Sequence, residues 1–243
     1  MLENKTAVIT GGNGRIARST ALALAQQGAR VVLLVRKDLL SATTFVELML
    51  PGTGHLAMIA DVTDTCSLKE SASKIGCCDI LINCAGFTQS ISPLNLHELT
   101  DEIFDKIVRV NLHGTYATIR EFSDLLTASG DGLIINITSA AGLKASASCL
   151  AYGASKAGVD LLTKSLALSM APAVRVISIA PGYLTEGVSG STVTLEKREW
   201  MTSITPMNRV GTANEIADAI VAYATTIKFT TGTIVVLDGG RTL

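Results

Sequence analysis

The chain has 243 residues, with 20 Lys and Arg against 21 Asp and Glu and a formal net charge of −1. That balance argues against a nucleic-acid partner, which would favour a basic face, and points to a small molecule as ligand. No uncharged apolar run reaches the roughly 18 residues of a membrane span, and a strand pattern begins too close to Met1 for a signal peptide; a cytoplasmic protein without a membrane partner is expected.

Apolar runs alternate with helix-length segments from end to end. Residues 7–9 form the first expected strand, followed by a glycine-rich turn at 11–14 and a helix over 16–27 that Gly28 stops. Further strands are expected at 31–35, 56–60, 80–82, 133–137, 174–179 and 234–237, with long helical patterns at 101–127 and 151–170. Short strands separated by helices call for right-handed βαβ units, hence an α/β fold with one doubly wound parallel sheet (Rossmann fold) and helices on both faces. With no linker, repeat or low-complexity tract, a single domain over 1–243 is expected. Cys66, Cys77, Cys78, Cys84 and Cys149 have no metal spacing. Five thiols without an export signal read as free cysteines, and Cys77-Cys78 as a buried turn.

Ligands of such sheets bind beyond the carboxyl ends of the strands. After the first strand come Gly11, Gly12, Asn13, Gly14, Arg15, Ile16 and Ala17; Gly12-x-Gly14-x-x-Ala17 satisfies the dinucleotide fingerprint. A tight turn lets the backbone approach a pyrophosphate, and the helix N-terminus favours its charge. The second strand ends in Arg36-Lys37, where a site for NAD would usually carry an acidic residue for the ribose. Two cations suit the 2′-phosphate instead, so NADP(H) is favoured over NAD(H).

At this point the chain resembles the short-chain dehydrogenases/reductases of compact type over essentially its whole length. The motifs follow in that family's order: the glycine loop, Asp61-Val62, Asn83-Cys84-Ala85-Gly86, Asn111, Ser139, Tyr152-x-x-x-Lys156, Pro181-Gly182 and Gly239-Gly240. The resemblance implies that Asp61 bonds the adenine with Val62 beside it, and that Asn83, Ala85 and Gly86 line the adenosine ribose. It also implies that 181–186, including Pro181, Gly182, Leu184 and Thr185, meets the nicotinamide end, and that 187–205 is a mobile substrate lid. Arg15 and Ala17 stand where compact relatives usually carry glycine, Glu186 stands where they carry Thr, and the 61–79 segment is short. Arg15 is read as an extra phosphate contact.

Tyr152 and Lys156 share one helical face. An ammonium beside a phenol is expected to lower the phenol's pKa and prepare it for proton transfer. Lys156 would also hold the nicotinamide ribose, Ser139 would bond the substrate oxygen, and Asn111 would orient a water linking Lys156 to solvent. His55, His97 and His113 are expected to have no partner, and Cys149 to be a buried small residue. The long helices carry apolar residues beyond one stripe, among them Ile103, Phe104, Tyr116, Leu161 and Leu168. With the family resemblance this implies a homodimer or homotetramer. The expected reaction is hydride transfer between the cofactor and a carbonyl or secondary alcohol, with a 3-oxoacyl thioester as first substrate class. A sugar, polyol or steroid-like alcohol is the alternative, and a non-catalytic NADP-binding regulatory or scaffolding protein is the alternative of another class.

Overall fold

The computed structural model describes residues 1–144, 148–185 and 194–243. Seven parallel strands form one sheet in the order β3-β2-β1-β4-β5-β6-β7. They are β1 (Thr6–Thr10), β2 (Arg30–Val35), β3 (Leu56–Ile59), β4 (Ile80–Asn83), β5 (Gly132–Ile137), β6 (Val174–Pro181) and β7 (Ile234–Leu237). The helices are α1 (Arg15–Gln26), α2 (Leu39–Met49), α3 (Thr65–Ile75), α4 (Asp101–Val108), α5 (Gly114–Ala128), α6 (Leu150–Met170), α7 (Leu195–Ser203) and α8 (Ala213–Thr225). The doubly wound sheet expected from the alternation is therefore present.

The central strands are covered on both faces, which is why they read as unbroken apolar runs. Within β1, Ala7 and Ile9 face a core completed by Ala17, Ala21 and Leu24 of α1 and Ile216 and Ile220 of α8. Val8 faces the opposite core with Ile119, Phe122 and Leu126 of α5. Register is tight: Val8 pairs with Val32 and Leu81, and Ile135 with Ile82 and Ile177. Thr212 and Glu215 form a reciprocal capping box at the start of α8, and Arg209 grips Glu215 at 2.6 and 3.0 Å. Among the described residues no helix is long and apolar enough to cross a membrane.

The segment expected as one helix over 101–127 is interrupted. A π-helical turn, Arg109–His113, separates α4 from α5. A π-turn inserts an extra residue and rotates the following face, so Asn111 is turned inward and completely buried. Of the paired cysteines, Cys78 is buried as expected but Cys77 is exposed. His55 is not without a partner: its Nδ1 accepts the Val31 N–H at 3.0 Å and its Nε2 faces the Pro51 carbonyl at 2.9 Å. The β2–β3 ladder begins only at Val32, so the Val31 N–H needs another acceptor, and the ring supplies it.

Candidate active site

The carboxyl ends of β1, β4, β5 and β6 converge on one crevice. At β1, Gly11 adopts φ +68°, and a Cβ there would stand 2.9 Å from the Ala85 Cα. The loop can lie this close to the β4 exit only because that atom is missing. Gly12 leans on the sheet, where a Cβ would meet Leu33 at 2.8 Å. Gly14 caps α1 with no side-chain acceptor, leaving the first-turn N–H groups from Arg15 and Ile16 onward to an outside anion. A diphosphate fits such a cradle.

Asn13 ties this loop to the next one. Its amide donates to the Lys37 and Asp38 carbonyls, both at 3.1 Å. Its Oδ1 accepts from Arg18 at 2.9 Å, and Arg18 also donates to Ser41 Oγ at 2.7 Å. Arg36, Lys37 and Arg15 stand exposed around this junction. Arg18 was not legible as a site residue, because an arginine one turn into a helix carries no motif.

After β3, Asp61 Oδ1 accepts the Thr63 N–H at 2.8 Å and its hydroxyl at 2.7 Å, which turns the chain and leaves Oδ2 outside that pair. Val62 is buried against Gly114, where a Cβ would lie 2.8 Å from Val62 Cγ2. At the end of β4, Asn83 donates to Asn136 Oδ1 at 2.9 Å, Asn136 donates to Thr163 Oγ1 at 2.9 Å, and Thr163 meets Ser178 at 2.8 Å. This polar seam crosses β4, β5 and β6 beneath α6. Asn83 Oδ1 is buried with no partner among the described residues, an acceptor in keeping with a ligand bearing hydroxyls beside Ala85 and Gly86.

The residues expected to carry the chemistry gather around α6. Lys156 Nζ, nearly buried, donates to the Ile137 carbonyl at 2.7 Å and lies 5.8 Å from the centre of the Tyr152 ring. A methyl group on Gly86 would stand 3.6 Å from Asn111 Oδ1 and 3.7 Å from Lys156 Nζ. Asn111 is held rigidly: Oδ1 accepts the Phe87 N–H at 2.7 Å, and Nδ2 donates to the Phe87 carbonyl at 2.9 Å and to Ser155 Oγ at 3.0 Å. Its own carbonyl accepts from Thr115 at 2.8 Å. Ser139 caps the short turn Ala140–Gly142 and also presents its hydroxyl to the Tyr152 phenol.

One electrostatic expectation is overturned. Burial raises the Tyr152 pKa; the Ser139 hydrogen bond opposes this, and the nearby thiols add to the rise. Burial also pushes the Lys156 ammonium down, to about 8. Desolvation acts on both members of the pair and disfavours the charged form of each. Tyr152 thus keeps its proton at neutral pH.

Pro181 closes β6, and Gly182 donates its N–H to the Leu237 carbonyl at 2.9 Å. Leu184 bridges to Gly211, and the Thr185 N–H donates to the Gly211 carbonyl at 2.9 Å. Of the expected lid, 187–193 lies outside the described residues, as does Glu186, and α7 occupies Leu195–Ser203. The Tyr183 ring stands 5.9 Å from Trp200 on α7, and the Arg241 guanidinium lies 4.3 Å from the Tyr183 ring and donates to its hydroxyl at 3.0 Å. Tyr183 falls in the expected 181–186 segment and Trp200 in the expected 187–205 lid; Arg241 was missed, because the tertiary fold alone brings it to Tyr183. Cys149 is fully buried, and no metal-binding cluster occurs among the described residues.

The family description that matches residues 12–242 is Enoyl-(Acyl carrier protein) reductase. A cis-4-hydroxycyclohexanecarboxylate dehydrogenase of Sinomonas cyclohexanicum is 33% identical, covering 98% of this chain and 96% of its own. A 3-oxoacyl-(acyl-carrier-protein) reductase of Thermotoga maritima is 31% identical, covering 98% of both. A solved Burkholderia xenovorans structure, described provisionally as a short-chain dehydrogenase/reductase, superposes with TM-score 0.89 at 31% identity, covering 98% of this chain and 97% of its own.

Proposed function

This chain belongs to the short-chain dehydrogenase/reductase family, oxidoreductases acting on CH–OH or C=O groups, and we propose that it reduces a carbonyl, or oxidises the matching secondary alcohol, with NADP(H). The observation that carries this reading is the Ser139 hydroxyl facing a protonated Tyr152 beside Lys156. A phenol and a hydroxyl side by side suit a substrate oxygen that gains charge and then a proton. When bound, the cofactor supplies the hydride. Tyr152 gives its proton to the substrate oxygen, Ser139 steadies that oxygen by hydrogen bonding, and Lys156 places its charge behind the phenol and toward the ribose side. Asn111, clamped on Phe87 and Ser155, fixes the wall against which Lys156 packs.

The residues set to hold the cofactor are Gly11, Gly12, Asn13, Gly14, Arg15 and Ile16 at the diphosphate, and Asp61, Val62, Asn83, Ala85 and Gly86 along the adenosine. Pro181, Gly182, Leu184 and Thr185 serve the nicotinamide end. Arg36 and Lys37 select the 2′-phosphate. Changing both to Ala is expected to raise KM for NADPH at least tenfold and leave that for NADH nearly unchanged, since a charge-assisted bond contributes about 1.5–3 kcal/mol. Initial rates with each cofactor decide this; a wild-type preference for NADH refutes the assignment.

A 3-oxoacyl thioester is our first substrate class, by analogy with the Thermotoga maritima relative. A cyclic hydroxy acid is the second reading, favoured by the Tyr183–Trp200 pair and Arg241 at the rim and by the name of the Sinomonas relative. NADPH oxidation against 3-oxoacyl thioesters, cyclic keto acids, sugars and simple ketones separates the two. The whole of 1–243 acts as one domain in this reading. The exposed Phe104, Tyr116, Leu161 and Leu168 on α4, α5 and α6 suit a homodimer or homotetramer. Ultracentrifugation is expected to show a species of at least twice the 25.4 kDa chain mass; a monomer alone overturns that part.

A further inference from the structure

Asp160 is a carboxylate in the wrong place for a surface helix. It sits on α6, four residues beyond Lys156, at 4% exposure. It faces the Ser178 and Thr138 hydroxyls at the end of the polar seam, yet neither carboxylate oxygen has a hydrogen-bond partner of ordinary geometry among the described residues. A buried carboxylate so poorly bonded costs stability, and the proposed mechanism has not used it.

The surroundings of Lys156 supply a reason. Its ammonium is buried and, among the described residues, hydrogen-bonded only to the neutral Ile137 carbonyl. Asn111 near it is neutral, and the Tyr152 phenol, its ring centre 5.8 Å away, keeps its proton. From the end of β4 comes the Cys84 thiol, which burial pushes up to about 11, so it carries no charge at neutral pH. From its own helix comes Asp160, which interacts with Lys156 and, on the same helix, Lys164. We propose that Asp160 is the buried counter-charge of Lys156, a positioning residue that keeps the ammonium charged without touching substrate. Burial pulls Lys156 down to about 8; Cys84 and, after it, Asp160 act in the opposite direction. Burial also raises the Asp160 carboxyl, against the two hydroxyls and the two lysines. Charges one helical turn apart and shielded from water interact strongly, because the medium between them screens weakly.

This inference rests on Lys156 serving hydride transfer as proposed above. The sign follows from the charges. Reduction needs a charged Lys156, so activity holds below its pKa and falls as pH rises through about 8. Asp160→Asn removes the counter-charge, and the alkaline limb of kcat/KM for reduction is expected to move about one pH unit toward acid. Asp160→Glu, which restores the charge, should move it back. A limb unmoved in a folded Asp160→Asn enzyme overturns the proposal, whereas an inactive wild type would fail the functional reading instead. Competitive labelling of Lys156 with acetic anhydride, read by mass spectrometry, follows the same amine without turnover. Its midpoint should fall in Asp160→Asn, and an unchanged midpoint counts against us. Should the neutral variants not fold, the wild-type midpoint decides. A value near 8 supports a compensated ammonium, and a value well below it shows burial without compensation and overturns the idea.

Discussion

Tyr152→Phe should lower kcat for carbonyl reduction by about 10²–10⁴-fold, the range associated with losing a positioned general acid, while NADPH binding stays nearly unchanged. The phenylalanine ring fills the same volume in the cluster of Ile91, Ile107 and Cys149, so fold and crevice persist. Only the proton and the Ser139 contact are lost. Steady-state rates with the best carbonyl substrate, beside a fluorescence titration of NADPH, make the comparison. If rate and binding both survived, Tyr152 would not be the acid. If the wild type turned over none of the carbonyl classes yet bound NADPH, the non-catalytic alternative would stand.

Phe122→Ala is expected to destabilise the protein by about 3–5 kcal/mol, the cost of deleting a buried aromatic ring from a closed core. Phe122 has no exposed surface and packs among Val8, Leu34, Leu81, Leu126, Ile134 and Val176. It therefore joins α5 to the middle of the sheet from the side that also carries the π-turn and Asn111. Relaxation into the void is limited, because β1, β4 and β5 around it are hydrogen-bonded on both sides. The shift in the urea midpoint at constant slope gives the value. A loss of about 0.5 kcal/mol, typical of a surface position, would mean that the core is not packed as described.

The sheet was legible in the sequence because a strand buried on both faces is apolar at consecutive positions, as Val31 to Val35 and Ile134-Ile135 are. The glycine loop and the Tyr152–Lys156 pair were legible because their spacing is local: one turn of backbone or one turn of helix fixes it. What escaped is long-range. The π-turn at Arg109–His113 leaves no mark in the apolar pattern of 101–127 beyond a blurred stripe. The pairing of Arg18 with Asn13 and Ser41 joins positions 5 and 23 residues apart. Asp160, set between Val159 and Leu161, looks like an ordinary solvent-facing acid until the fold turns it toward β6. The Tyr152 shift was read with the wrong sign because a neighbouring charge can be counted from spacing, whereas the depth of burial cannot.

The polar seam from Asn83 through Asn136 and Thr163 to Ser178 has a bearing on how such a chain can diverge. Each member satisfies the next, so an apolar replacement at one link strands a neighbouring donor or acceptor at a cost of about 1–3 kcal/mol. Replacing several links together removes the need for them all. Drift at these positions is therefore blocked stepwise but open in concert. Lineages descending from this sequence should either keep the set whole or have exchanged it wholesale, even where the residues around Tyr183 and Trp200 have been rewritten freely.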